Sequence, residues 1–169
     1  MTVRRIRVIP DPALRQKAKR VTRINDSTQR LIDDLVETMR AAPGVGLAAP
    51  QVGVSLRVIV VEVPEEPLYT LVNPEVVKKS GERRVEEGCL SVPGYKATIT
   101  RSVSVTVKAQ DRTGKPCRIK ATGLLAQALE HEIDHLNGIL YIDYLSSMDE
   151  LVPVGASETE GEGALTSGI

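Results

Sequence analysis

The stretch "EHEIDHLNG" at 130–138 holds the chain's only two histidines, His131 and His135, four positions apart with Glu132 directly behind the first. On a helix, residues four apart stand one turn above each other on the same face, so both imidazoles can point at one metal ion. Glu132 projects roughly a hundred degrees round from His131, within reach of a water on that ion without ligating it. A divalent cation lowers the pKa of its water towards ~7, and a neighbouring carboxylate can take the proton and hand it on. The pattern points to metal-assisted hydrolysis. A helix that merely carries two histidines is the bland alternative, and the spacing argues against it.

Two imidazoles do not complete a site. The run "HEIDHLNGILY" nearly matches the extended metalloprotease signature HExxHxxGxxH, with Gly138 in place but Tyr141 where the third histidine belongs. A zinc peptidase would then draw its remaining ligand from Asp143 or Glu150. The other candidate lies upstream in "EEGCLSVPG", where Cys89 follows Gly88 at a strand end before a Pro-containing turn. Its thiolate would complete a Cys-His-His set with a fourth position open for water. A lone cysteine is otherwise a small buried hydrophobe, the reading that suits Cys117 in "KPCRI". A metal-stabilised binding domain without catalysis is the third alternative.

These residues need elements to hold them. From Gly123 the pattern turns helical, with Leu124, Leu125, Ala128, Leu129, His131, Glu132, His135 and Leu136 at helical spacings and Gly138 as terminator. An earlier helix in "DSTQRLIDDLVETMRAA" carries one apolar stripe through Leu31, Ile32, Leu35, Val36 and Met39, behind a cap at Asp26 or Ser27. Asp11 caps a short helix that opens on Pro12. "PGVGLAAPQVG" reads as a loop. Strand-like runs are "LRVIVVEV", "YTLVNPEVVKKS", "ITRSVSVTVKAQ", which alternates through Val103, Val105 and Val107, and the return strand "KPCRIKA". Strands between separate helices predict an α+β domain, with small antiparallel or mixed sheets packed around a central metal-binding helix.

At 169 residues the chain is long enough for one compact domain. That domain is expected over 1–148, with the acidic, small-residue segment 149–169 as a tail too poor in apolar groups to order. Two cysteines are too few for a disulfide framework, and "MTVRRIRVIP" has no apolar stretch behind its basic residues, which points to a reducing cytoplasm. Nothing approaches the ~18 uninterrupted apolar residues of a membrane span. All 22 Lys and Arg precede residue 149, which leaves a mildly basic body, but Phe and Trp are absent and Tyr numbers four. A base-stacking platform is hard to build from that, so direct nucleic-acid binding is not expected.

Three motifs, "GVGLAAPQ" at 44–51, "EGCLS" at 87–91 and "HEIDH" at 131–135, in that order and at these separations, resemble the signatures of the peptide deformylase family. "LVNPEV", "DRTGKP" and "HLNGILYIDYLS" are also similar to family segments, and the resemblance covers roughly residues 5–146. It implies an enzyme that hydrolyses the N-formyl group from the formyl-methionine of newly made polypeptides, in a bacterial cytoplasm or in an organelle after processing. Cys89, His131 and His135 would hold the metal, with Fe(II) in the cell and Zn(II) or Ni(II) in purified protein. A metal-bound hydroxide would attack the formyl carbon, with Glu132 as general base and then acid. The side-chain amide of Gln51 and the backbone N–H of Leu90 would stabilise the oxyanion.

The resemblance also implies a substrate lying as an added strand between the loop at Val45 and Gly46 and the segment at Gly88. Val45, Val85, Leu124 and Ala128 would line an apolar pocket for the methionine side chain. The glycines of "GVGLAA" mimic a dinucleotide fingerprint, but they follow a helix and precede Pro50, against the strand-then-helix order that fingerprint needs. Two positions depart from the family pattern: Glu130 stands where Gln is usual, and Gln127 where an apolar or basic residue is common. Acting on nascent chains implies transient ribosome proximity. A contact through the C-terminal helix that many members carry is not expected, because this chain runs through "MDELVPVG" into its acidic tail.

Overall fold

The computed structural model describes residues 2–154; segment 155–169, most of the expected tail, lies outside the described residues. The fold is α+β, as expected. One sheet has five strands in the order β1 (Gly46–Ala48), β2 (Val58–Val61), β3 (Tyr69–Ser80), β6 (Ser104–Gln110) and β7 (Pro116–Thr122). A smaller sheet joins β4 (Arg83–Cys89), β5 (Val92–Arg101) and β8 (Val152–Pro153). Every pair between these strands is antiparallel.

The helices α1 (Asp26–Ala41) and α2 (Gly123–Leu136) are served by alternate residues of the large sheet. Successive side chains of a strand point to opposite faces, and β2 uses both. Val58 and Val60 join the apolar cluster of α1 with Leu31, Ile32, Leu35 and Met39. Ile59 and Val61 join the cluster of α2 with Leu125, Ala126, Leu129 and Ile133. All four strand residues are fully buried, which accounts for an unbroken apolar run where a half-exposed strand would alternate. A third cluster lies under the small sheet and gathers Val85, Cys89, Val92, Ala97 and Ile99 with Leu140, Tyr141 and Ile142.

Helix α2 is stopped firmly. Gly138 takes a positive φ of 73°, and the N–H groups of Gly138 and Ile139 return to the carbonyls of His135 and Asp134. The Leu136 carbonyl accepts from the Ala18 N–H at 2.8 Å and from Arg57 Nη1 at 3.1 Å. The last turn, which carries His135, is therefore tied to two distant parts of the chain.

Several local expectations are corrected. Helix α1 is capped by Asn25 instead of Asp26 or Ser27: Asn25 Oδ1 accepts from the Thr28 N–H, and Thr28 Oγ1 accepts from the Asn25 N–H. The "GVGLAAPQVG" segment, expected as a loop, contains β1 and a 3-10 turn over Ala49–Val52. The helix after Asp11 is likewise a single 3-10 turn, Pro12–Arg15, with Asp11 capping as expected. Val103 does not alternate with Val105 and Val107; it is 43 % exposed in the turn between β5 and β6. Pairing also continues past residue 148, because Tyr95 and Lys96 of β5 face Pro153 and Val152. The boundary expected there falls inside a 3-10 turn, Met148–Glu150.

Candidate metal centre

Cys89 ends β4, and the hairpin register shifts between Gly88 and Cys89, so that Cys89 pairs with Val92 across a two-residue turn. That irregularity aims the sulfur at α2, where His131 and His135 occupy one face. Cys89 Sγ lies 3.4 Å from His135 Nε2, which lies 3.2 Å from His131 Nε2. The three donor atoms fall within 4.8 Å of one another, and all three residues are buried. One soft thiolate and two imidazoles around a common point suit a tetrahedral divalent transition metal with one corner left for solvent. Among the described residues, this is the group of ligating side chains that converges in this way.

Neither alternative third ligand turns towards the site. The Asp143 carboxylate receives both Nη atoms of Arg15, at 2.6 and 3.0 Å, and the Leu140 N–H at 3.0 Å. Glu150 accepts from the Ser147 N–H. Tyr141, in the place of the extended signature's third histidine, is buried with its ring stacked near His131 at 6.4 Å between centroids. Cys117 sits on β7 against the apolar cluster of α2, where burial pushes its thiol pKa up.

Glu132 is fully buried, and neither of its oxygens has a hydrogen-bond partner among the described residues. Such a group is costly to the fold and marks a place where chemistry outranks stability. Burial raises its pKa to about 7, against the lowering effect of His131. The backbone of β1 runs so close that a Cβ on Gly46 would stand 2.5 Å from Glu132 Oε2; glycine makes the approach feasible.

His131 is oriented from behind. Its Nδ1 lies 2.6 Å from Glu87 Oε2, inside a fully buried pair. Glu87 also receives Arg101 Nε at 3.0 Å, Arg101 Nη2 at 2.6 Å and Gln127 Nε2 at 3.3 Å. Burial pushes Glu87 up, but His131 and Arg101 outweigh it and hold its pKa down to about 2. An ionised Glu87 fixes the His131 proton on Nδ1 and leaves Nε2 facing Cys89 and His135. Burial lowers the basicity of His131, yet the carboxylate of Glu87 and the thiol of Cys89 raise it well above normal, whereas burial and the neighbouring His131 keep His135 well below.

Sequence reasoning missed Glu87, Arg101 and Asp134 as a supporting set, although a metal-ligating imidazole nearly always hands its other N–H to a carboxylate or carbonyl. That requirement, applied to "EEGC", would have singled out Glu87. Gln51 is buried beside Cys89. Its Oε1 accepts from the Ala48 N–H at 2.9 Å, which frees Nε2 to face Ser91 Oγ at 3.1 Å and Cys89 Sγ at 3.9 Å. Leu90 lies in the turn that follows Cys89. Val45 and Ala128 are buried in the cluster of α2 with Leu124 against them, whereas Val85 is buried in the cluster of Cys89.

The family model described as Polypeptide deformylase matches residues 3–151. The chain belongs to the polypeptide deformylase family. It is 57 % identical over 159 residues to the peptide deformylase of Dehalococcoides mccartyi, covering 94 % of this chain and 95 % of that protein. The crystal structure of a peptide deformylase from Legionella pneumophila superposes with a TM-score of 0.85 at 50 % identity, over 88 % of this chain and 89 % of that one. The peptide deformylase from Ehrlichia chaffeensis in complex with actinonin gives 0.87 at 42 % identity, over 89 % and 92 % of the two chains. Deformylases are hydrolases that remove N-formyl groups, and the chain is such an enzyme. No helix among the described residues is long and apolar enough to cross a membrane.

Proposed function

We propose that this deformylase is a metal-dependent hydrolase acting on the N-terminal formyl-methionine of newly synthesised polypeptides. The observation that carries the reading is the convergence of Cys89, His131 and His135 beside the unpartnered carboxylate of Glu132. Bound at those three side chains, a divalent ion supplies the Lewis acidity that makes water a nucleophile near neutral pH. Fe(II) is the proposed cellular ion, with Zn(II) or Ni(II) taking its place in purified protein.

Glu132 takes the proton of the attacking water and returns it to the departing amine. A pKa of about 7 suits both halves of that task, and a bound cation draws it lower. Gln51 Nε2 and the Leu90 N–H donate to the oxygen of the formyl group as charge grows on it; one such donor is worth about 3 kcal/mol in comparable sites. His131 keeps its lone pair aimed at the ion because Glu87 holds the opposite nitrogen.

Strand β1 ends one sheet and β4 ends the other, so among the described residues each has an edge without a strand partner, able to take a peptide strand. We read the substrate backbone as lying between Val45–Gly46 and Gly88, with methionine directed towards Val45, Val85, Leu124 and Ala128. We read residues 1–148 as a single catalytic domain, working near the ribosome in a bacterial cytoplasm or an organelle.

Formate release from formyl-Met-Ala, measured with anaerobically prepared protein whose metal content is assayed in parallel, tests this. Cys89→Ala loses both ion and activity. Glu132→Ala keeps the ion and the fold while turnover falls by about 10²–10⁴-fold. Unchanged formate release in Glu132→Ala removes the proposed base, and full activity in Cys89→Ala removes the proposed centre.

A further inference from the structure

The support behind His131 does not end at Glu87. Arg101 is 3 % exposed and spends its donors on two carboxylates: Nε and Nη2 on Glu87, and Nη1 on Asp134 Oδ2 at 2.7 Å. Asp134 stands on α2 between the two histidines. The same Oδ2 accepts the Tyr144 hydroxyl at 2.7 Å. Tyr144 holds the guanidinium a second way, since Arg101 Cζ lies 5.2 Å from the centroid of its ring. Tyr144 itself is 49 % exposed, at the end of the 3-10 turn Tyr141–Tyr144 that follows α2.

Building on the metal reading above, we propose that Tyr144 is a positioning residue for the metal ligand His131, acting through Asp134, Arg101 and Glu87. The guanidinium lies between two carboxylates that compete for it. The Tyr144 hydroxyl occupies part of the accepting capacity of Asp134, and its ring fixes the plane of Arg101, so the two short bonds to Glu87 keep their geometry. Without the hydroxyl, Asp134 draws Arg101 outward, Glu87 loses its clamp, and the imidazole of His131 is free to rotate. A half-exposed side chain four contacts away thereby sets how well the ion is gripped.

The test compares wild type, Tyr144→Phe, which keeps the ring, and Tyr144→Ala, each loaded with Co(II) and challenged with EDTA. Tyr144→Phe releases cobalt about 3- to 10-fold faster, below the roughly 10- to 100-fold that a direct outer partner of a ligating histidine is worth because Tyr144 acts at a further remove, and Tyr144→Ala is faster again. The ligand-field bands of the bound cobalt move in both variants while the thiolate-to-cobalt band persists. The melting temperature of the metal-free protein changes by less than about 3 °C. Cobalt release at the wild-type rate in both variants, with unmoved bands, overturns the inference. An equal loss of melting temperature in loaded and metal-free protein also overturns it, because the role is then structural. Absence of a thiolate-to-cobalt band in wild type sinks the metal centre itself and this inference with it, whereas the band with an unchanged Tyr144→Phe sinks this inference alone.

Discussion

Gly46 on β1 and Glu132 on α2 are packed so closely that a single methyl on the glycine would stand 2.5 Å from Oε2 and 3.0 Å from Cγ of the glutamate. The far end of a glutamate can move aside at small cost to the fold, but this one is the proposed base. Gly46→Ala is expected to lower deformylation at least about 100-fold while the unfolding free energy changes by less than about 1.5 kcal/mol. Parallel turnover and urea measurements check the split; an active variant shows that the carboxylate tolerates displacement.

Asp143 separates the deformylase reading from a peptidase that borrows its third ligand there. Its carboxylate caps the Leu140 N–H and pairs with Arg15, so Asp143→Ala is expected to cost about 1 kcal/mol of stability, the usual value of a lost cap. Activity and metal content stay within about twofold of wild type, because the side chain lies off the catalytic path. Loss of the ion in this variant would favour the peptidase.

Gly138 and Gly123 both take positive φ, 73° and 59°, but only the first is crowded. A Cβ at Gly138 would meet the Arg15 carbonyl oxygen at 2.6 Å, and backbone cannot step aside as a side chain can; at Gly123 nothing lies within 4 Å. Gly138→Ala is expected to lose at least about 2 kcal/mol by urea denaturation, and Gly123→Ala about 1 kcal/mol, the ordinary cost of a left-handed alanine.

Asp34 ties the N-terminal segment to α1, accepting from the Thr2 N–H at 2.7 Å and from Arg4 Nε at 2.8 Å. Burial pushes its pKa up, but the Thr2 N–H and the Arg4 guanidinium outweigh that and hold it below the ordinary 3.8. A carboxyl depressed on folding contributes stability that is fully present above its unfolded pKa and is lost as pH falls through the folded one. Below about pH 4, wild type therefore loses stability more steeply than Asp34→Asn, which lacks this proton uptake. Urea midpoints from pH 6 down to pH 2 measure the difference, and parallel slopes contradict it.

The helices and the strands β2, β3, β6 and β7 were legible because their signals are local. The stripe through Leu31, Leu35 and Met39 and the terminating Gly138 need no partner to be recognised. Strand β1 was not legible, since three residues become a strand only by pairing Gly46, Leu47 and Ala48 with Val61, Val60 and Ile59. The register at Cys89 was hidden for the same reason. His131 and His135 stood out by type and spacing and Cys89 as one of several candidate third donors, whereas Arg101 and Asp134 did not, because what binds them is a buried charge balance spanning two elements. Gln127, noticed as unusual, gains its meaning only from the Glu86 carbonyl and the Glu87 carboxylate to which it donates.

Cys89 belongs to the smaller sheet and the two histidines to the helix beneath the larger one, so the proposed ion, held between them, would be a rivet joining two layers of the molecule. Besides the rivet, that seam is crossed by the contacts of Glu87 with His131 and of Arg101 with Asp134, which no chelator removes. Stripping the metal should therefore leave the layers docked but breathing, with amide protons exchanging faster along Arg83–Arg101 while those of Leu125–Leu136 remain protected.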